Sequence, residues 1–167
     1  MTLGTHAVVG ASLATLLPSH PVLAFTAGFL SHFVLDSIPH WDYKLLSISK
    51  DENNKMNTDM VLGSNFIIDI FRIGFDIYLG LSVAFLVVGN LFYPPFVLLA
   101  GAIGAMLPDT LQFVYFKFKR EPLRSLQKFH MFMHAETRIH NPVKGIFFQI
   151  ITVIVAVLLV SVVKTFL

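Results

Sequence analysis

Cysteine is absent from the 167 residues. That excludes disulfides and every thiolate metal site, and leaves the redox compartment open. Charge is scarce as well: only 13% of the residues are Asp, Glu, Lys or Arg, against about a quarter in soluble domains. No Lys or Arg occurs among the first 43 residues. The basic n-region of a secretory signal is therefore missing, and the first apolar run is expected to belong to the mature fold. The chain also lacks a glycine-rich phosphate loop, a G-x-S-x-G nucleophile elbow and any nucleic-acid motif. A basic stretch alone is weak evidence for a nucleic-acid partner, and none is expected.

Apolar side chains are plentiful. They make up 55% of the residues, and the mean hydropathy is +0.72, values of an integral membrane protein. The pattern predicts one all-α domain over residues 1–167, a polytopic membrane helix bundle of about five transmembrane helices. The spans fall at about 3–17, 21–38, 66–89, 95–116 and 145–166, with long polar loops at 41–65 and 117–144. Pro18-Ser19-His20-Pro21 breaks the first two into a tight hairpin. Ala100-Gly101-Ala102-Ile103-Gly104-Ala105 is a small-residue seam for close helix contact. Pro108, just before Asp109, should kink the fourth span.

The loop over 117–144 carries seven basic residues and the loop after span two carries three, whereas the turns after spans one and three have none. By the positive-inside bias, both long loops and the N-terminus are cytoplasmic and the C-terminus lies outside, in an inner or plasma membrane.

On that topology the titratable residues segregate to one half of the membrane. His32 and Asp36 are four apart on one helical face, placed to chelate one metal ion or to hydrogen-bond each other. His40 and Asp42 follow directly after Pro39. With His6 and Asp109, the first pair forms a candidate metal shell. Imidazole and carboxylate ligands without thiolate suit a divalent ion, Zn²⁺ first and Mn²⁺ or Fe²⁺ as alternatives. The competing reading is a metal-free hydrogen-bonded lock between helices.

His130 and His134, also four apart, would face one way on a helix and close the site from the loop. Otherwise they belong to an amphipathic helix lying on the membrane. Asp69, Arg72 and Asp76 read as an internally neutralised ladder, with Asp76 as an alternative ligand-orienting group. Arg120, Arg124, Lys128 and Arg138 attract anionic headgroups, or one or two of the arginines hold a substrate phosphate.

Thr5-His6, His32 followed by Asp36, Leu107-Pro108-Asp109 and the later histidine pair together resemble a family of small inner-membrane proteins regarded as metal-dependent hydrolases. That family is sometimes linked to the helical fold of zinc-dependent phospholipase C and P1 nuclease. The resemblance implies His6, His32, Asp36 and Asp109 as metal ligands, joined by His130 or His134. This sequence departs from the family pattern in continuing Leu107-Pro108-Asp109 with Thr110-Leu111.

The expected function is therefore metal-dependent hydrolysis of a lipid-linked or phosphate ester at the cytoplasmic membrane interface. Asp36 or Asp76 would be the general base, and Arg124 or Arg138 would hold the anionic group. Membrane lipids and a small amphiphilic or phosphate-bearing substrate are the expected partners, and homo-oligomers are left open. The alternatives are a transporter or ion-relay bundle and a purely structural membrane scaffold.

Overall fold

The computed structural model describes residues 1–89, 93–137 and 139–166. Their elements are α1 (Leu3–Ala14), α2 (Pro21–Asp36), a short antiparallel pair β1 (Ile48–Ser49) and β2 (Asp59–Met60), α3 (Ser64–Val87), α4 (Pro95–Phe118), α5 (Leu123–Met133) and α6 (Pro142–Lys164). Proline opens α2, α4 and α6, where its missing N–H costs nothing and its fixed φ suits the first turn. The Asn141 side chain accepts from Lys144 N at 3.1 Å, so α6 starts three residues before the expected 145.

The all-helical architecture stands and fits a membrane protein, but five spans are not confirmed. α3, α4 and α6, at 24, 24 and 23 residues, are long and apolar enough to cross a membrane. α1 and α2 have 12 and 16 residues, about 18 and 24 Å against a hydrocarbon core of about 30 Å. Five crossings are thus not supported by helix length. α1 stops at Ala14 because the next amides turn back onto carbonyls only three residues away, Leu16 N to Leu13 O and Leu17 N to Ala14 O. At the other end, Pro39 disfavours helical backbone in the residue before it.

The first helix of the hairpin fills the middle of the bundle. α1 packs on α2, α3, α4 and α6, and all of its residues except Leu13 are buried. Its small side chains allow this close approach. Only small shares of α3 and α6 are buried, and Phe71, Phe75, Leu86, Phe147, Leu158 and Leu159 project outward, as lipid-facing surface does. α4 continues as a helix through Pro108.

The loop over 41–63 is tied to the end of α4. Lys117 Nζ donates to Asp59 Oδ1 at 2.7 Å and to Met60 O, and Tyr115 Oη donates to Met56 O at 3.1 Å. The expected Asp69–Arg72–Asp76 ladder takes a different form. Asp69 accepts from Leu46 N, Ser47 N and Ser47 Oγ at 3.0, 2.8 and 2.6 Å, so its main work is to hold this loop. Arg72 is exposed, reaches Lys44 O at 3.3 Å and stays 3.7 Å from Asp69 Oδ1. Asp76 accepts from Gly4 N at 3.2 Å and from Tyr43 Oη at 3.4 Å, joining α3 to the start of α1.

Candidate metal centre

Four elements aim side chains at Asp36, in the last turn of α2. One turn earlier on the same helix, His32 places Nε2 at 3.2 Å from Asp36 Oδ2. Its Nδ1 lies 2.8 Å from the Ala105 carbonyl of α4. A carbonyl only accepts, so Nδ1 carries a proton, and Nε2 is the nitrogen turned to the centre. α5 inserts His130, whose Nε2 is 3.2 Å from both His32 Nε2 and Asp36 Oδ2. Asp109, one residue past Pro108 on α4, brings Oδ1 to 3.7 Å from both ring nitrogens.

These four groups lie close enough together to hold one ion. Two ligands each ~2.1 Å from a tetrahedral ion are themselves ~3.4 Å apart. The observed 3.2–3.7 Å separations bracket that value. Without a cation or an extra proton, lone pairs of imidazole and carboxylate would face one another in a buried site, an arrangement that costs free energy.

The other oxygen of the same carboxylate faces a second group. His6, in the first turn of α1, stacks on His32 with ring centroids 4.1 Å apart and sets Nε2 at 3.2 Å from Asp36 Oδ1. Neither His6 ring nitrogen has a hydrogen bond of acceptable alignment, although the residue is fully buried. His40 directs Nδ1 to Ile38 O at 2.7 Å, leaving a buried Nε2 without a hydrogen bond, 3.8 Å from Asp36 Oδ1. His134 lies against His40, with ring centroids 4.7 Å apart, and its Nδ1 donates to Ala135 O at 3.2 Å. Asp36, His40 and His134 form a second set able to share an ion. The α-amino group of Met1 also sits here, 2.7 Å from Asp36 Oδ1 and 3.0 Å from Asp42 Oδ1.

Backbone bonds from Ala135 N to Asp36 O and from Ile139 N to His40 O, at 2.8 and 3.0 Å, pin the segment after α5 to the end of α2. Burial alone would raise the Asp42 carboxyl, but the His40 ring and the Met1 ammonium outweigh it and hold Asp42 well below the usual carboxylate range. Burial and the Asp76 carboxylate push the Tyr43 phenol up, so it stays a donor. Burial likewise lowers His134 and keeps it a neutral imidazole.

The structure therefore gathers His6, His32, Asp36, Asp109, His130 and His134 in one place, with His40 and Asp42 beside them. His130 and His134 do not act as one pair. His134 has left the helix for extended backbone (ψ 131°) and joins His40, while His130 faces His32. Asp76 is engaged by Gly4 and Tyr43, and Arg124 is exposed at the start of α5. Arg138 lies outside the described residues.

His40 lies outside the ligand set expected from the sequence. It stands four residues after Asp36, a spacing that could have marked it as a ligand. Gln149 belongs to no sequence motif, but it too serves the site. Its Oε1 accepts from Thr2 N, Thr2 Oγ1 and Thr5 Oγ1 at 3.2, 2.9 and 2.8 Å, and its Nε2 donates to Trp41 O at 2.8 Å. It thereby fastens α6 beside the site.

Fold and site together define an all-helical protein with three membrane-length helices and buried His/Asp groups able to hold a metal ion. Comparison of the chain with known protein families, with curated proteins and with solved structures finds no match.

Proposed function

We propose that the chain is a membrane-embedded, metal-dependent hydrolase acting on an amphiphile that bears a phosphate or related ester, at the cytoplasmic face of an inner or plasma membrane. The observation that carries this reading is the meeting of His32, Asp36, Asp109 and His130 at separations suited to one tetrahedral ion. Zn²⁺ fits this donor set best, with Mn²⁺ and Fe²⁺ as alternatives. Bound there, an ion that takes a water as a fifth ligand would lower its pKa towards ~7 and polarise the scissile oxygen.

Asp36 uses both oxygens on neighbouring rings, so its role is that of a ligand. Asp109 and Asp42 are only about 28% and 27% exposed, yet they are more open than Asp36 at 1%. A proton from the attacking water would pass to Asp42, the rim carboxylate that is not a ligand of this ion, rather than to Asp76. Arg124, exposed on the helix that delivers His130, attracts the anionic group of the substrate. The resemblance of the Thr5-His6, His32–Asp36 and Leu107-Pro108-Asp109 motifs to metal-dependent hydrolases points the same way.

A transport path needs polar groups through the other half of the bundle as well. The buried hydroxyls there, Ser12 and Thr15, bond to their own helix at Val8 O and Ser12 O, 2.7 and 2.6 Å away. They give transport no support.

The test is purification in detergent followed by hydrolysis assays on a panel of phosphatidic acid, a lipid-linked diphosphate and p-nitrophenyl phosphate and acetate. Turnover that chelation abolishes, Zn²⁺ or Mn²⁺ restores, and His32→Ala and Asp36→Ala both lack is expected. Metal-loaded protein that hydrolyses no ester of the panel would overturn the enzyme assignment.

A further inference from the structure

We infer that α5 is a membrane-surface helix whose outward face rests on lipid headgroups of negative charge. The inference goes beyond the hydrolase reading and holds whether or not an ester is cleaved. α5 joins the end of α4 at Phe118 to the start of α6 at Pro142, two of the three membrane-length helices. Helices that cross a bilayer in succession leave the segment between them at one face of it.

α5 is the most amphipathic of the helices. Gln127 and His130 are buried on the side that packs on α2 and α4. The opposite side exposes Arg124, Ser125, Lys128, Phe129 and Phe132. At about 100° per residue, Arg124 and Lys128 stand ~40° apart along one edge of that side, and Phe129 and Phe132 ~60° apart along the other. Phe129 is 46% exposed and meets Phe33 of α2 edge-on, with ring centroids 4.9 Å apart, whereas Phe132 is 82% exposed. Water gives no return for a bare phenylalanine. The boundary between headgroups and acyl chains takes such a ring, and the stems of Arg and Lys beside it reach up to the phosphates.

Charge complementarity names the lipid. From Lys119 to His134 the sequence has four basic residues and one acidic, Glu121. Lys119 Nζ donates to Asn57 O at 2.9 Å, and Glu121 accepts from Ser125 N and Oγ at 3.1 and 2.7 Å. Arg120, Arg124 and Lys128 are exposed, a cationic edge that suits anionic headgroups better than zwitterionic ones. An acidic soluble partner would match these cations, but not a phenylalanine presented at the bilayer boundary. With the outward face seated in this way, His130 on the opposite face lies about one helix diameter, ~10 Å, from the headgroups.

Because the chain has no cysteine, one spin label can be placed at Phe132→Cys, where the exposed ring carries little of the packing. The full-length protein is reconstituted in phosphatidylcholine vesicles with and without phosphatidylglycerol. Electron paramagnetic resonance then measures collisions of the label with oxygen, enriched in lipid, and with a neutral nickel chelate confined to water. A label at Asn53→Cys, in the exposed part of the 41–63 loop, gives the aqueous reference. With phosphatidylglycerol present, the label at 132 should lose chelate collisions and gain oxygen collisions relative to the label at 53. Arg120→Gln/Lys128→Gln should weaken this seating by up to about fivefold per basic residue removed, and high salt should act in the same direction. Chelate collisions at 132 equal to those at 53 in both vesicles would overturn the inference and leave the face to a soluble partner. Seating that ignores phosphatidylglycerol, salt and the double variant would overturn the choice of an anionic surface.

Discussion

Replacing Gly101 by alanine should loosen the bundle and the metal centre together. A methyl built on Gly101 falls inside van der Waals contact with the Gly10 carbonyl oxygen and lands 2.8 Å from the Ala14 Cβ. From the other side, α2 meets the same turn. A Cβ on Gly28 would clash with the Gly101 carbonyl and lie 3.1 Å from Ala105 N. α1, α2 and α4 thus touch backbone to backbone at Gly101, and a rigid carbonyl cannot step aside as a side chain can. Relief requires α1 to withdraw by roughly 1 Å, and overpacking of this kind costs about 1–3 kcal/mol.

For a chain of this size each kcal/mol lowers Tm by about 2–4 °C, so a fall of about 2–12 °C is expected. One turn beyond Gly101, Ala105 O fixes the His32 ring, and one turn further on Asp109 enters the centre. Loss of such orienting contacts weakens metal binding about 10–100-fold. Thermal unfolding in detergent and competition with a chelating dye read the two effects. Gly74→Ala is the control, since nothing lies within 4 Å of its added carbon. It should leave Tm unchanged or raise it, alanine being the better helix former by ~1 kcal/mol. If Gly101→Ala unfolds and binds metal like the wild type, the close-packing argument is wrong.

Gln149→Leu leaves the Thr2 amide and the Thr5 hydroxyl without their acceptor. It should destabilise the protein by about 1–3 kcal/mol, visible in the same unfolding assay, whereas an unchanged Tm would show that water replaces the amide. Asp69→Ala removes the acceptor of three bonds to Leu46 and Ser47. Limited proteolysis within residues 44–63 should then accelerate while metal content is kept; equal cleavage rates would count against the tether. Arg124→Ala should raise KM for an anionic substrate about 2–5-fold at low salt and less at high salt, with kcat held. A KM that ignores both the mutation and the salt would remove Arg124 from substrate attraction.

Much of this arrangement is legible from residue spacing. Pro21, Pro95 and Pro142 mark helix starts, and the Ala100–Ala105 seam marks where backbones meet. His32 and Asp36 share a face because four residues are just over one turn. What spacing cannot carry is the path of the chain after a helix ends. His40 reaches Asp36 because Pro39 turns the backbone out of the helix while the Ile38 carbonyl fixes the ring. His134 parts from His130 because α5 ends at Met133. The hairpin of α1 and α2 reads as two spans by hydropathy, since composition does not separate a short packed helix from a spanning one; the turn at residues 15–17 ends α1 and Pro39 follows the end of α2. Asp69 reads as part of a charge ladder because its true partners are backbone amides, which leave no mark in composition.

Whether a divalent ion sits among the His and Asp side chains of α2, α4 and α5 decides between a metal centre and a hydrogen-bonded lock. Anomalous scattering at the zinc edge from crystals of the zinc-loaded protein measures this directly. The predicted result is a peak enclosed by His32 Nε2, Asp36 Oδ2, Asp109 Oδ1 and His130 Nε2, about 2.0–2.2 Å from each. The same four side chains found converged with no peak between them, held by protons alone, would contradict it.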